Sequence, residues 1–381
     1  LTEMVKSKWN DAPPSMLPHL RSTYSIIFLN CLQEEISFEH TDNTAISGTF
    51  QLISAVMGNN QKGLSHFLLT GKSVIDHKSS LTTNKSSLSS TLRKCVLEGK
   101  SNSPEYIFHL LDALLLSMSI KRVPFPEEDE VKFIDRLIHI RESRVTANNA
   151  WDMNIVAKIV EILSLYLYLS NGENKKCEAK IRSLLNASQF IDALSAMFII
   201  QQDELTVMRH LDSEFQSLLG DHYCVNQFEV NNSHESPMMT NNIYNVELIS
   251  SMLYGSKHEQ WRDVLATLVD VDKIHKLADS QMARAKAYGG LITCFCNTSP
   301  GELSSYYSHL SMQLLKINVD EGIFSDEQEQ IYQGRGELAF LIILTLSNSK
   351  KTIDENIALD IMRYTMKLLV SSEVALFDCL K

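Results

Sequence analysis

Turn-forming residues are scarce in this sequence. Its 381 residues include 14 glycines and 8 prolines, about half the roughly 12% that the two together usually contribute. Glycine and proline punctuate turns, so their shortage means long uninterrupted elements. It excludes a β-sandwich or barrel, which needs a turn signal every 8–12 residues or so. It also excludes a nucleotide-binding α/β enzyme built on glycine-rich loops.

Positive charge is also short. There are 35 Lys and Arg against 46 Asp and Glu, a formal net charge of −11. Phosphate backbones are held by clustered basic residues, so nucleic acid is not expected as a partner. The seven cysteines are odd in number and irregularly spaced, which does not make a disulfide framework. A reducing compartment is expected. No run of about 18 apolar residues is present, so no membrane insertion is expected. The most apolar stretch, 338–346, is too short. The chain opens on Leu1 rather than Met and is expected to be a piece of something longer.

What is there is helical periodicity. Trp151, Ile155, Ile159, Ile162 and Tyr166 recur at helical steps, and Val156, Val160, Leu163 and Leu167 form a second stripe beside them. Stripes that wide bury a helix on more than one side. Ile357, Ile361, Tyr364 and Leu368 repeat the pattern. Start signals agree with this. Pro104, Pro126 and Pro300 stand at or just before expected first turns, and Ser299 with Glu302 and Ser325 with Gln328 read as capping boxes.

The pattern predicts helices over 20–37, 44–58, 61–70, 87–98, 104–120, 127–143, 148–169, 173–185, 188–199 and 202–219. After a break come 243–254, 258–270, 273–297, 300–317, 326–347, 353–370 and 372–380. That is an all-α chain of about 17 helices, at a spacing per helix pair that suits an α-solenoid of HEAT- or armadillo-like pairs. Two polar stretches interrupt it, near 72–90 and over 221–242. They divide the chain into a first sub-array over 1–220, a loop or hinge over 221–242, and a second sub-array over 243–381.

Chemistry-bearing motifs are absent: there is no GxSxG, P-loop, GxGxxG or HExxH. Cys294 and Cys296 lie two residues apart on an expected helix, so their thiols diverge by about 200° and cannot share a metal. They read as small core hydrophobes. His66 and His109 sit in apolar runs and read as satisfied core or boundary histidines. The acids from Glu127 to Glu130 suit the positive end of a helix and read as a solvated first turn. No catalytic, cofactor-binding or metal-binding residue emerges. No cofactor and no enzyme activity are expected, and partner-binding residues stay unassigned. None of the 15 phenylalanines is followed by glycine, so the chain is not itself a Phe-Gly repeat segment.

Three stretches carry a family likeness. Lys62-Gly63-Leu64-Ser65-His66-Phe67-Leu68-Leu69-Thr70-Gly71, then Ala285-Lys286-Ala287-Tyr288-Gly289-Gly290-Leu291-Ile292-Thr293, then Leu315-Lys316-Ile317-Asn318-Val319-Asp320 with Ile331-Tyr332 and Glu337-Leu338-Ala339-Phe340, resemble segments of the large inner-ring scaffold nucleoporins of the 188-kDa class, in their yeast form. Order and spacing are similar too, and the likeness is weak before residue 60. The resemblance implies a later-middle segment of an α-solenoid protein in the symmetric inner ring of the nuclear pore complex, at the nuclear envelope. It implies a role in pore architecture and nucleocytoplasmic transport, with linker-nucleoporin segments and Phe-Gly repeats as partners. Beside that likeness, Gly289 and Gly290 read as a notch that lets a neighbouring helix approach closely. Two other function classes stay open at this point: a soluble karyopherin-like transport receptor or adaptor that binds peptide segments, and a helical enzyme with a site assembled from scattered residues.

Overall fold

Eight helices make up the continuous part of the computed structural model, which describes residues 22–37, 43–59, 61–71, 88–121, 126–145, 149–170 and 174–185. It also describes Thr2, Val5, nine helical residues between Lys276 and Cys294, and Leu359, Met362 and Arg363. In chain order the helices are α1 (Ser22–Ser37), α2 (Asn43–Gly58), α3 (Lys62–Thr70), α4 (Leu88–Glu98), α5 (Pro104–Ile120), α6 (Glu127–Glu142), α7 (Ala150–Ser170) and α8 (Lys175–Leu185). No strand occurs among the described residues. The chain divides into two compact units, one over Leu1–Leu184 with His234–Ser236, the other over Leu185–Ser233 with Pro237–Lys381. All but the last residue of the eight helices belongs to the first unit. The expected helices from 188 to 270 and from 300 to 347, and the expected break at 221–242, lie outside the described residues.

Local chemistry sets the helix ends. Pro104 occupies the first turn of α5, where its missing N–H leaves nothing unsatisfied. The α6 helix carries four acids in its first turn and His139 and Arg141 in its last, matching the helix dipole at both ends. Asn149 caps α7: its side-chain oxygen accepts the backbone N–H of Asp152 at 2.9 Å. Asn174 caps α8 in the same way through Cys177 N–H at 3.2 Å. Two helices stop on left-handed glycines, α3 at Gly71 (φ 68°) and α4 at Gly99 (φ 62°). Each returns its N–H to a carbonyl four residues back.

Gly99 is under a second constraint. A Cβ there would collide with the guanidinium of Arg136, which lies across the end of α4. Gly99→Ala is therefore expected to destabilise the chain by about 1–2 kcal/mol from the left-handed backbone alone, with displacement of Arg136 in addition. Urea unfolding of the two proteins side by side measures it.

The core centres on α5, which packs against α2, α3, α4 and α7. Rings lock two of these contacts edge to face. Phe50 of α2 meets Tyr106 of α5 at 5.3 Å, and Phe108 of α5 meets Trp151 of α7 at 5.8 Å. The guanidinium of Arg93 on α4 lies 4.5 Å from the centre of the Phe133 ring on α6.

The α7 helix is buried from Met153 to Val160 without interruption, as its paired stripes require. The α7 helix is 21 residues long and apolar enough by composition to cross a membrane, although 67% of that stretch is buried inside the fold. It also carries Asp152, Lys158 and Glu161. Of the expected glycine notch, Gly289 lies outside the described residues. Gly290 is helical, and among the described residues a Cβ built on it meets nothing within 4 Å, so none of them packs closely on it.

Candidate functional site

The residues singled out in the sequence fall into separate places. In the acidic run, Glu127 pairs with Lys176 of α8 at 3.3 Å and Asp129 with Lys132 at 3.8 Å. Glu130 departs from a solvated first turn and is buried at 3% exposure. One of its carboxylate oxygens accepts the Tyr166 hydroxyl and, at 3.3 Å, the Asn174 amide. It therefore ties α6 to α7 and to the start of α8. Burial, then the bond to Glu130, pushes the Tyr166 hydroxyl well above its ordinary pKa. Among the described residues no group of three or more His, Cys, Asp and Glu could hold a metal.

His109 is buried in α5. Its Nε2 lies 2.9 Å from the Gln51 amide nitrogen of α2, so an amide donor places the ring proton on Nδ1. Burial pushes its pKa down against the pull of Asp112 and Glu105, and the ring is neutral at pH 7. His66 faces Thr70, whose hydroxyl lies 3.3 Å from its Nδ1. Cys294 is helical and partly exposed, and Cys296 lies outside the described residues.

One buried ion pair escaped sequence reading. Lys158 of α7 places Nζ 2.9 Å from Asp112 of α5 and 3.4 Å from Glu161. Burial alone would lower the Lys158 pKa, but Asp112 and Glu161 outweigh it and the group ends above its ordinary value. The signal was available: Lys158 stands three after Ile155 and four before Ile162, in the middle of an apolar stripe. Asp112 likewise interrupts the apolar run of α5.

A cavity of about 120 Å³ opens where the end of α4 meets α5 and α6. Arg136, His139 and Arg144 line it together with Cys95 and Tyr106. Burial pushes the Cys95 thiol up to about 11, with Glu98 adding to the effect and Lys100 and Lys94 opposing it. A thiol held protonated at neutral pH is a poor nucleophile. Arg136 donates from Nε to the Val96 carbonyl at 3.4 Å. Arg144 pairs through Nη1 with Asp152. These side chains can bind and orient a small anionic group. They form no nucleophile–base pair.

Similarity to known proteins follows the same line. Residues 1–72 match the family model described as nucleoporin Nup188, N-terminal subdomain III. That match takes in the Lys62–Gly71 segment and also the residues before 60, where the residue-by-residue likeness is weak. The chain is also 24% identical, over 404 aligned positions covering 98% of it, to nucleoporin NUP188 of Saccharomyces cerevisiae. It spans about a quarter of that protein's length, 24%. A family-model match at one end and a likeness running through nearly the whole chain both point to the Nup188 class of nucleoporins.

Proposed function

We propose that this chain is a stretch of the non-enzymatic scaffold of the nuclear pore inner ring, an α-solenoid of about 17 helices in HEAT- or armadillo-like pairs. It contributes to pore architecture and to nucleocytoplasmic transport by holding segments of other nucleoporins, linker segments foremost and Phe-Gly repeats in addition. The observation that carries the reading is the likeness to a nucleoporin along 98% of the chain. Packing supports it. Among the described helices, every substantial contact joins helices no more than three places apart in the chain. Contacts confined to helices close together in the chain suit a stacked array of helix pairs, whose long face can dock extended peptides.

A scaffold stays where it is built. With the protein that carries this chain tagged fluorescently in cells, a bleached spot of nuclear rim is expected to recover over hours. Recovery within seconds, together with capture on Ran-GTP, would overturn the scaffold reading in favour of a shuttling receptor.

A further inference from the structure

The cavity between α4, α5 and α6 has an electrostatic character opposite to that of the chain. The whole sequence carries a net −11, yet Arg136, His139 and Arg144 line one small space. Among the described residues Asp152 is the one carboxylate bonded to this group, and it is engaged by Arg144 Nη1 and, at 2.7 Å, by the Asn149 amide. Neither Arg136 nor His139 has a carboxylate partner among the described residues. Arg136 spends one N–H on a long bond to the Val96 carbonyl. The Nε of Arg144 is buried and has no hydrogen-bond partner among the described residues, an unfavourable state for a charged donor.

Size and chemistry narrow what fits. A cavity of about 120 Å³ is smaller than the roughly 150 Å³ that admits a benzene ring. It is far below the roughly 300–1,000 Å³ of cofactor sites. It therefore suits a single side chain. Guanidinium groups match a carboxylate as a planar fork, and Leu110 and Ile140 in the lining suit the methylenes of such a side chain.

We propose that this pocket seats the carboxylate of an aspartate or glutamate side chain on a partner polypeptide. The proposal rests on the reading of the chain as a scaffold that docks segments of other proteins. On a surface of net negative charge, an isolated cationic pocket fixes where an acidic segment can dock and in which register.

The test titrates the 381-residue chain with N-acetyl-glutamate amide, with its glutamine counterpart and with inorganic phosphate, following the arginine Nε–H resonances. The Arg136 and Arg144 signals are expected to move with the glutamate probe and saturate in the millimolar range. The glutamine probe is expected to bind at least tenfold more weakly, and phosphate more weakly than glutamate. Arg136→Gln should lose at least tenfold in affinity, while Lys94→Gln, an equal charge change outside the cavity, should lose nothing. Arg144→Lys, which keeps the charge and removes the fork, should lose severalfold and serves if the Arg136 variant misfolds. Equal binding of glutamine, tighter binding of phosphate, no movement of either resonance, or indifference to Arg144→Lys would each overturn the proposal. Residence at the nuclear rim does not depend on any of these outcomes, so the scaffold reading stands or falls separately.

Discussion

Lys158→Ala is expected to destabilise the first unit by about 3–5 kcal/mol, the usual penalty for removing one partner of a buried ion pair. The side chains of Lys158 and Asp112 are 11% and 7% exposed, and they meet at 2.9 Å across the α5–α7 contact. Truncating the lysine leaves the Asp112 carboxylate in the core without its cation. Replacing both partners by apolar residues, Lys158→Met with Asp112→Leu, removes the stranded charge as well and is expected to recover most of the loss. The contrast between single and double variants separates a charge effect from a packing effect. Urea unfolding at pH 7, with hydrogen exchange read on the α5 and α7 amides, measures both.

The pH dependence has a definite sign. The folded-state pKa of Lys158 lies above its ordinary value because Asp112 and Glu161 outweigh desolvation. The folded chain therefore holds this proton more tightly than the unfolded chain. Its contribution is full below the ordinary lysine pKa, about 10.4, and is lost as pH rises through the higher folded value. Wild-type stability should fall above that range, and Lys158→Met should lack this component of the fall.

The helices were legible because their ends are written in local chemistry. The α5 helix spans 104–120 as predicted, and the other seven begin and end within two residues of expectation. Proline at the first turn of α5, glycine after α3 and α4, and acids at the start of α6 act within a single turn, so neighbouring residues suffice to place them. The two Asn caps were less visible because Asn149 and Asn174 each sit among several polar residues, and only geometry shows which one turns back onto the helix. The inward turn of Glu130 and the cavity were not legible at all. Glu130 is held by Tyr166, 36 residues on. The cavity joins the end of α4 to Arg136 and Arg144, more than 35 residues away. Such partners are fixed by which helix lies beside which, and periodicity gives the buried face of a helix without naming its neighbour.

Phe50→Ala is expected to cost about 3–5 kcal/mol, and where that loss is felt bears on the architecture. Phe50 is fully buried and meets the ring of Tyr106 edge to face at 5.3 Å, within the most extensive helix contact among those described, α2 with α5. Truncation removes a ring's worth of buried area and leaves a void that close-packed neighbours fill poorly. Leu97→Ala on α4, where the side chain is already 39% exposed, should change stability by no more than about 0.5 kcal/mol and serves as the control. In a globular core the lost protection would spread through every helix of the unit at once. In a stacked array it should be greatest in α2 and α5, weaker in α4 and α7, and weaker still in α8, because each helix is stabilised by near neighbours alone. Hydrogen exchange resolved by helix distinguishes the two. A graded loss supports stacked pairs, whereas a uniform loss across α1 to α8 would overturn the solenoid reading even if the total destabilisation came out as expected.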